Sequence, residues 1–301
     1  MSQQLALSLP QRWFLSLRPY SFPASFVPIA LTAVVSAAID TPRSWWAFSA
    51  YAVSATLLHA GANVLNDYYD HLHGVDGPPA ADRSHVIARG LVSARFMLIT
   101  GHAYFLIAIS LGLMLALLRG PGFLLGGVAA VAAAFFYTGR SFSLKYCGLG
   151  DIVVFITMGL LHPAMGVFAT TGSVPPAALV LAIPLALPAV AILHGNNLRD
   201  RDTDRAAGVR TIANLLPLTA ARALFAALTI SPYLLVLLLV AGGYFEPVVG
   251  AVFLSLPFAV FLVGRVFVAS DLTTLPVECA ALYLGFSLLY LYGILAFGAP
   301  V

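Results

Sequence analysis

Asn63-Val-Leu-Asn66-Asp67-Tyr-Tyr-Asp70-His-Leu-His-Gly74 decides how this chain is read, because its polar spacing returns 134 residues later as Asn197-Leu-Arg-Asp200-Arg-Asp-Thr-Asp204-Arg-Ala-Ala-Gly208. The chain is otherwise nearly free of acids. Twelve Asp and Glu serve 301 residues, and six of them (Asp67, Asp70, Asp76, Asp200, Asp202 and Asp204) lie in or beside these two segments. Steps of three and four residues put the repeated side chains along one stripe of a helix. Two such stripes facing each other present oxygen ligands to a hard divalent cation and the phosphates it carries. The set holds no Cys and no His pair at zinc-like spacing, which disfavours Zn²⁺. Mg²⁺ fits better: it binds through one or two carboxylates plus substrate phosphate oxygens. One ion at each segment, both gripping one diphosphate, makes Asn66, Asp70, Asp200 and Asp204 the expected metal ligands. Solvated helix ends account easily for Asp76, Asp82 and Asp202, but poorly for the repeated spacing, the asparagines and the shared glycine.

Outward from these segments the chain is hydrocarbon. Apolar residues make up 60% and charged residues 9%, with a mean hydropathy of +0.94; soluble domains average roughly 45–50% and 25%. Apolar runs long enough to span a bilayer core of about 30 Å recur at about 19–39, 45–64, 96–118, 121–137, 150–171, 174–195, 215–241, 244–267 and 276–298. The sequence therefore predicts an all-α membrane protein, residues 1–301 as one unit, with nine transmembrane helices around a central cavity. With the N-terminus cytoplasmic, thirteen of the fifteen Lys and Arg fall inside and only Arg43 and Arg119 outside, as the positive-inside rule requires. The net charge of +3 is thereby accounted for without nucleic acid. The expected location is the inner or cytoplasmic membrane as a multi-pass protein, and no obligatory protein partner is evident. Residues 1–16 lack the continuous apolar region of a cleavable signal peptide.

The longer and more polar connections, near 66–95, 138–149 and 196–214, all fall on the cytoplasmic side and hold both acidic segments, so the active site is expected to face the cytoplasm. Basic groups should complete a diphosphate cradle: Arg140 and Lys145, the only lysine in the chain, with Arg205 and Arg210 flanking the second segment. Membrane-surface anchoring is the competing role for each. His59 and His194 read as satisfied core histidines, Asp151 and Glu278 as acids at helix starts, and Cys147 and Cys279 as buried small apolar side chains.

Asn63-Val-Leu-Asn-Asp-Tyr-Tyr-Asp-His-Leu-His-Gly-Val-Asp76 and Asn196-Asn-Leu-Arg-Asp-Arg-Asp-Thr-Asp-Arg-Ala-Ala-Gly208 resemble the two Asp-rich signatures of the UbiA superfamily of intramembrane prenyltransferases. Tyr137-Thr-Gly-Arg-Ser-Phe-Ser-Leu-Lys-Tyr-Cys-Gly-Leu-Gly-Asp151 is similar to a loop of that superfamily's menaquinone branch, and Arg18-Pro-Tyr-Ser-Phe-Pro-Ala-Ser25 to the branch's amino-terminal segment. The resemblance implies a helical bundle holding two Mg²⁺ ions and a polyprenyl diphosphate. It further implies ionisation of that donor to an allylic cation and attack by an electron-rich ring, with 1,4-dihydroxy-2-naphthoate as the first-choice acceptor. On that footing Asn66, Asp67, Asp70, Asp200, Asp204 and Tyr137 are the expected catalytic residues, Tyr137 offering its π face together with Tyr68 and Tyr69. Asn63 and Asn197 are assigned to the acceptor.

The stretch Asp76-Gly-Pro-Pro-Ala-Ala-Asp-Arg-Ser-His85 departs from the menaquinone pattern, which alters the loop expected near the acceptor's carboxylate. Two other outcomes stay open at this point. One is another acceptor, or a terpene cyclase, on the same scaffold. The other is a transporter, disfavoured because the acids lie at helix ends instead of mid-membrane.

Overall fold

The computed structural model describes residues 7–39, 41–72, 86–138, 143–145 and 147–297. Within them the chain is helical, and the one bridge pairs Cys147 with Arg210. A short helix α1 (Leu9–Ser16) leads through a turn at Pro19–Ser21 into α2 (Pro23–Ala38). Then follow α3 (Trp45–Leu72), α4 (Ala94–Arg119), α5 (Pro121–Thr138), α6 (Gly150–Thr171) and α7 (Pro176–Arg199). Two short helices, α8 (Arg201–Ala206) and α9 (Ile212–Leu215), precede α10 (Leu218–Ala241), α11 (Pro247–Val268) and α12 (Leu275–Phe297).

Local chemistry sets several ends. Ser93 starts α4 by accepting the Phe96 amide, and Gly120, at φ 86°, stops it. Midway along α6, Phe155–Leu161 widens into a π-helical stretch directly before Pro163. Proline has no N–H for the turn behind it, so the ladder slips register there instead of breaking.

Among the described residues, seven helices are long and apolar enough to cross a membrane: Pro19–Ala38, α4, α6, α7, α10, α11 and Leu275–Ala296. The other two expected spans fall on α3, 28 residues long but carrying the polar segment at its end, and on α5, whose apolar part is shorter. Large apolar side chains stand exposed around the bundle, Leu117 at 91%, Val268 at 87% and Leu254 at 77%. A water-soluble chain does not present a belt of that kind; lipid tails match it.

Helices approach closely where a glycine allows it. A Cβ on Gly61 of α3 would sit 2.7 Å from the Phe105 ring of α4, and one on Gly166 of α6 would sit 2.3 Å from Thr32 Oγ1 of α2. The largest core, around Leu185, Phe225, Tyr283, Phe286 and Tyr290, joins α7 to α10 and α12.

Three expectations are corrected. The second acidic segment is not one helical stripe: α7 ends at Arg199, Asp200 has non-helical angles (φ −94°, ψ 9°), and α8 starts afresh. Asp202 and Asp204 then lie in the first turn of α8, where the helix dipole favours acids. The cavity is not central to all the spans, because its lining comes from Arg18 to Asn196 and none of α10, α11 or α12 contributes. Finally, Cys279 is buried as expected but Cys147 is exposed, being on a connecting loop.

Candidate active site

A cavity of about 580 Å³ runs between α2, α3, α4, α5, α6 and α7. Most of its wall is hydrocarbon. Its charged side chains and asparagines gather at one end, where Arg18, Asn63, Asn66, Lys145 and Asn196 meet with Tyr20 and Tyr137.

Lys145 is placed by the connection between α5 and α6. The Leu144 and Lys145 amides donate to the Phe136 and Tyr137 carbonyls (2.9 and 3.2 Å), and Ser143 Oγ donates to the Tyr137 carbonyl as well. These bonds satisfy carbonyls that a helix end otherwise leaves bare. They also aim the lysine across the cavity mouth at α3. Its Nζ donates to Asn66 Oδ1 at 3.2 Å and to Asp70 Oδ2 at 3.0 Å, while Asn66 Nδ2 donates to the same Asp70 oxygen at 3.0 Å. Sequence spacing puts Asn66 and Asp70 one turn apart; the fold brings the lone lysine onto both.

The second segment shows the same device with a different cation. Arg199 holds both carboxylate oxygens of Asp200, through Nε at 2.9 Å and through a short NH2 contact, and donates to Asn196 Oδ1 at 2.7 Å. Asp204 follows a turn on, its amide donating to the Asp200 carbonyl at 2.8 Å. Gly148 N donates to the Arg210 carbonyl at 2.8 Å, so the Lys145 loop is tied to the loop after the second segment.

The remaining expected site residues divide. Asp67 is buried facing Arg18 (3.3 Å) and accepts the Val86 amide at 3.2 Å, a role in closing the N-terminal segment over α3. Asn63 lines the cavity while its amide donates to the Leu17 carbonyl and Ser21 Oγ. Asn197 lies behind the wall, donating to Asp151 Oδ1 at 3.3 Å. Arg205 donates to the Asn214 carbonyl at 2.8 Å, and the Arg210 side chain is exposed. Arg140, Asp76, Asp82 and the 76–85 stretch lie outside the described residues.

Four residues join the site without a role expected from the sequence. Arg18, there only a topological charge, lines the cavity in a left-handed conformation (φ 54°) beside Asp67. Burial by itself opposes the Arg18 charge; Tyr20, Asp67 and Asp70 outweigh it, and its pKa is raised. Arg199 and Asn196 complete the second clasp. Asp151 is buried against His194 Nδ1 at 2.6 Å, and His194 Nε2 faces the Ala221 carbonyl. His194 is therefore a satisfied core histidine, as expected. His59, bonded to Ser21 and Ser25, is another.

Among the described residues no three of His, Cys, Asp and Glu converge as a closed metal cage. The oxygens available are an Asn amide and a carboxylate converging on one cationic group at each segment. That donor set fits a hard ion that fills its other positions with water and phosphate oxygens.

Residues 26–275 match the profile described as the UbiA prenyltransferase family. The zebrafish (Danio rerio) UbiA prenyltransferase domain-containing protein 1 is 33% identical over 306 residues, covering 97% of this chain and 87% of the relative. Among solved structures, the UbiA homologue from Archaeoglobus fulgidus bound to GPP and Mg²⁺ superposes with a TM-score of 0.62 at 16% identity, over 93% of this chain and 99% of its own. The apo UbiA homologue from Aeropyrum pernix K1 gives 0.65 at 18% identity, over 96% and 98%.

Proposed function

The chain belongs to the UbiA prenyltransferase family, and we propose that it transfers a polyprenyl group from an isoprenyl diphosphate to an aromatic acceptor, with 1,4-dihydroxy-2-naphthoate the best match. The supporting observation is Lys145 Nζ held by Asn66 and Asp70 at the charged end of a largely apolar cavity. A prenyl diphosphate has that same division, a polyanionic head on a hydrocarbon tail. A transporter does not fit the family.

Mg²⁺ held by Asn66 and Asp70 at one segment, and by Asp200 and Asp204 at the other, would supply the positive charge that a departing diphosphate needs. Lys145 would hold a diphosphate oxygen from its place beside Asn66 and Asp70, and Arg140, Arg205 and Arg210 would add charge around it. The donor's carbon–oxygen bond breaks, and the electron pair leaves with the diphosphate. Tyr137, lining the cavity beside Lys145, turns its ring to the allylic cation. The apolar wall keeps water from capturing that cation. A ring carbon of the acceptor, placed near Asn63, forms the new carbon–carbon bond, and the ring regains aromaticity by releasing the proton on that carbon or, where that carbon bears a carboxylate, CO₂. The polar end lies at the cytoplasmic face of the inner membrane, in a bundle of nine spans.

Asp70→Ala and Asp204→Ala test this reading. Each should cut turnover by orders of magnitude while expression and membrane insertion stay normal. Full activity in either variant at limiting Mg²⁺ contradicts two ions on one diphosphate.

A further inference from the structure

We infer that Asn63 selects the acceptor by a free ring hydroxyl, which donates to its amide oxygen, an inference that rests on the prenyl-transfer reading above. The amide is turned by its neighbours. Nδ2 lies 3.0 Å from the Leu17 carbonyl oxygen and 2.8 Å from Ser21 Oγ. A carbonyl only accepts, so the atom facing Leu17 is the NH₂ group and not the oxygen. Both of its protons are then committed to the N-terminal segment. Ser21 Oγ gives its own proton to the Arg18 carbonyl at 2.8 Å. It therefore meets His59 Nε2, 3.3 Å away, as an acceptor, and Nε2 carries the proton of the neutral ring. His59 Nδ1 in turn accepts from Ser25 Oγ at 2.6 Å.

Among Ser21, Ser25, His59 and Asn63, the side-chain atom left open is Asn63 Oδ1. It has no partner among the described residues and, unlike Arg18 Nε or His162 Nε2, it is not sealed from solvent. Asn63 lines the cavity, so the oxygen opens there. On α3 it precedes Asn66 by three residues, about 4.5 Å along the axis at ~1.5 Å per residue. That step leads from the charged end toward the hydrocarbon wall, the level at which the first carbon of a donor held at Asn66 and Lys145 emerges.

An amide oxygen accepts hydrogen bonds and donates none, so it selects a group that brings a proton. A hydroxyl fits; a carboxylate or phenolate sets oxygen against oxygen. When the ring carbon attacks, positive charge spreads to a hydroxyl ortho or para to it. The O–H becomes a stronger donor, and its bond to Oδ1 tightens in the transition state. In 1,4-dihydroxy-2-naphthoate the 1-hydroxyl bonds internally to the adjacent carboxylate, which leaves the 4-hydroxyl for Asn63. Without that hydroxyl Oδ1 faces bare ring, and a buried acceptor lacking a partner weakens binding by about tenfold. Ser21 and His59 act through Asn63 as positioning residues.

The test is calorimetry in nanodiscs, with Mg²⁺ and an unreactive thio-diphosphate donor at saturation. The probes are 1,4-dihydroxy-2-naphthoate and 1-hydroxy-2-naphthoate, which lacks the 4-hydroxyl. Wild type should bind the first about tenfold more tightly, and Asn63→Leu should bind the two within twofold of each other. Ser21→Ala, which removes one anchor of the amide, should lower the preference, and Ser21→Thr, which keeps the hydroxyl, should restore it. A wild-type preference under twofold overturns the inference, as does a tenfold preference that survives in Asn63→Leu. If Asn63→Leu does not fold, the Ser21 pair decides: equal preference in Ser21→Ala and Ser21→Thr overturns it. Failure of prenyl transfer itself would show separately, as no diphosphate release from reactive donors with any phenolic ring.

Discussion

Lys145→Ala removes a cation that touches both halves of the first segment's pair, and the structure sets the sign and size of two opposite effects. Nζ lies 3.2 Å from Asn66 Oδ1 and 3.0 Å from Asp70 Oδ2. The lysine side chain is 16% exposed and that of Asp70 2%, so these are charge-assisted bonds in a largely dehydrated place. Such bonds contribute about 1.5–3 kcal/mol each. If one of them passes from Asp70 to a diphosphate oxygen on donor binding, its loss at about 2 kcal/mol weakens donor binding about 30-fold. The second effect runs the other way. Without the ammonium, Asn66 and Asp70 lose one cation that competes with an ion for their oxygens, and Mg²⁺ measured in the absence of donor should bind more tightly. Lys145→Arg should recover part of the donor affinity, because charge is kept while geometry changes. Diphosphate release gives donor KM and kcat; calorimetry on the donor-free protein gives the Mg²⁺ affinity. Donor KM and kcat both within twofold of wild type would refute the diphosphate role and leave Lys145 a topological anchor.

Asp67→Asn should separate from Asp70→Ala: with Arg18 and the Val86 amide as its partners, Asp67 is expected to lower Tm while leaving the Mg²⁺ dependence of turnover unchanged. A shifted Mg²⁺ half-saturation with unchanged Tm would restore Asp67 to the metal site. In a variant lacking Cys147 and Cys279, single cysteines at Ala207 and Ser173, both exposed, should react with an impermeant thiol reagent from opposite sides of the membrane. Reaction of both from one side overturns the nine-span topology.

The spans are legible in the sequence because apolar runs of membrane length seldom arise outside a bilayer, and the acidic segments because acids are scarce in this chain. Asn66 and Asp70 follow from spacing alone, since one turn of helix places them together whatever surrounds it. What spacing does not carry is partner choice across the bundle. Arg199 reads as one of many cytoplasmic arginines, yet it clasps Asn196 and Asp200 because α7 ends between them. Arg18 sits 49 residues from Asp67 in the chain, and only the docking of the N-terminal segment on α3 joins them. Asp151 reads as a helix-start acid and is one, but its pairing with His194 depends on how α6 packs against α7. The helix break at Asp200 is hidden for a related reason: a three- and four-residue rhythm survives a short interruption, so periodicity alone does not reveal it. The Tyr51–His162 contact has no sequence signature at all, since a tyrosine and a histidine 111 residues apart meet only through tertiary packing.

Prenyl transfer of the proposed kind ends in a carbon–carbon bond between the prenyl donor and an aromatic ring. The decisive measurement is mass spectrometry of the products made by purified protein in nanodiscs, given Mg²⁺, prenyl diphosphates of several lengths and a panel of phenolic acceptors that includes 1,4-dihydroxy-2-naphthoate. The predicted result is a prenylated ring formed in step with one diphosphate released, and neither product when Mg²⁺ is chelated. Diphosphate released equally well without any acceptor, with the prenyl chain recovered as a cyclic hydrocarbon, would contradict it.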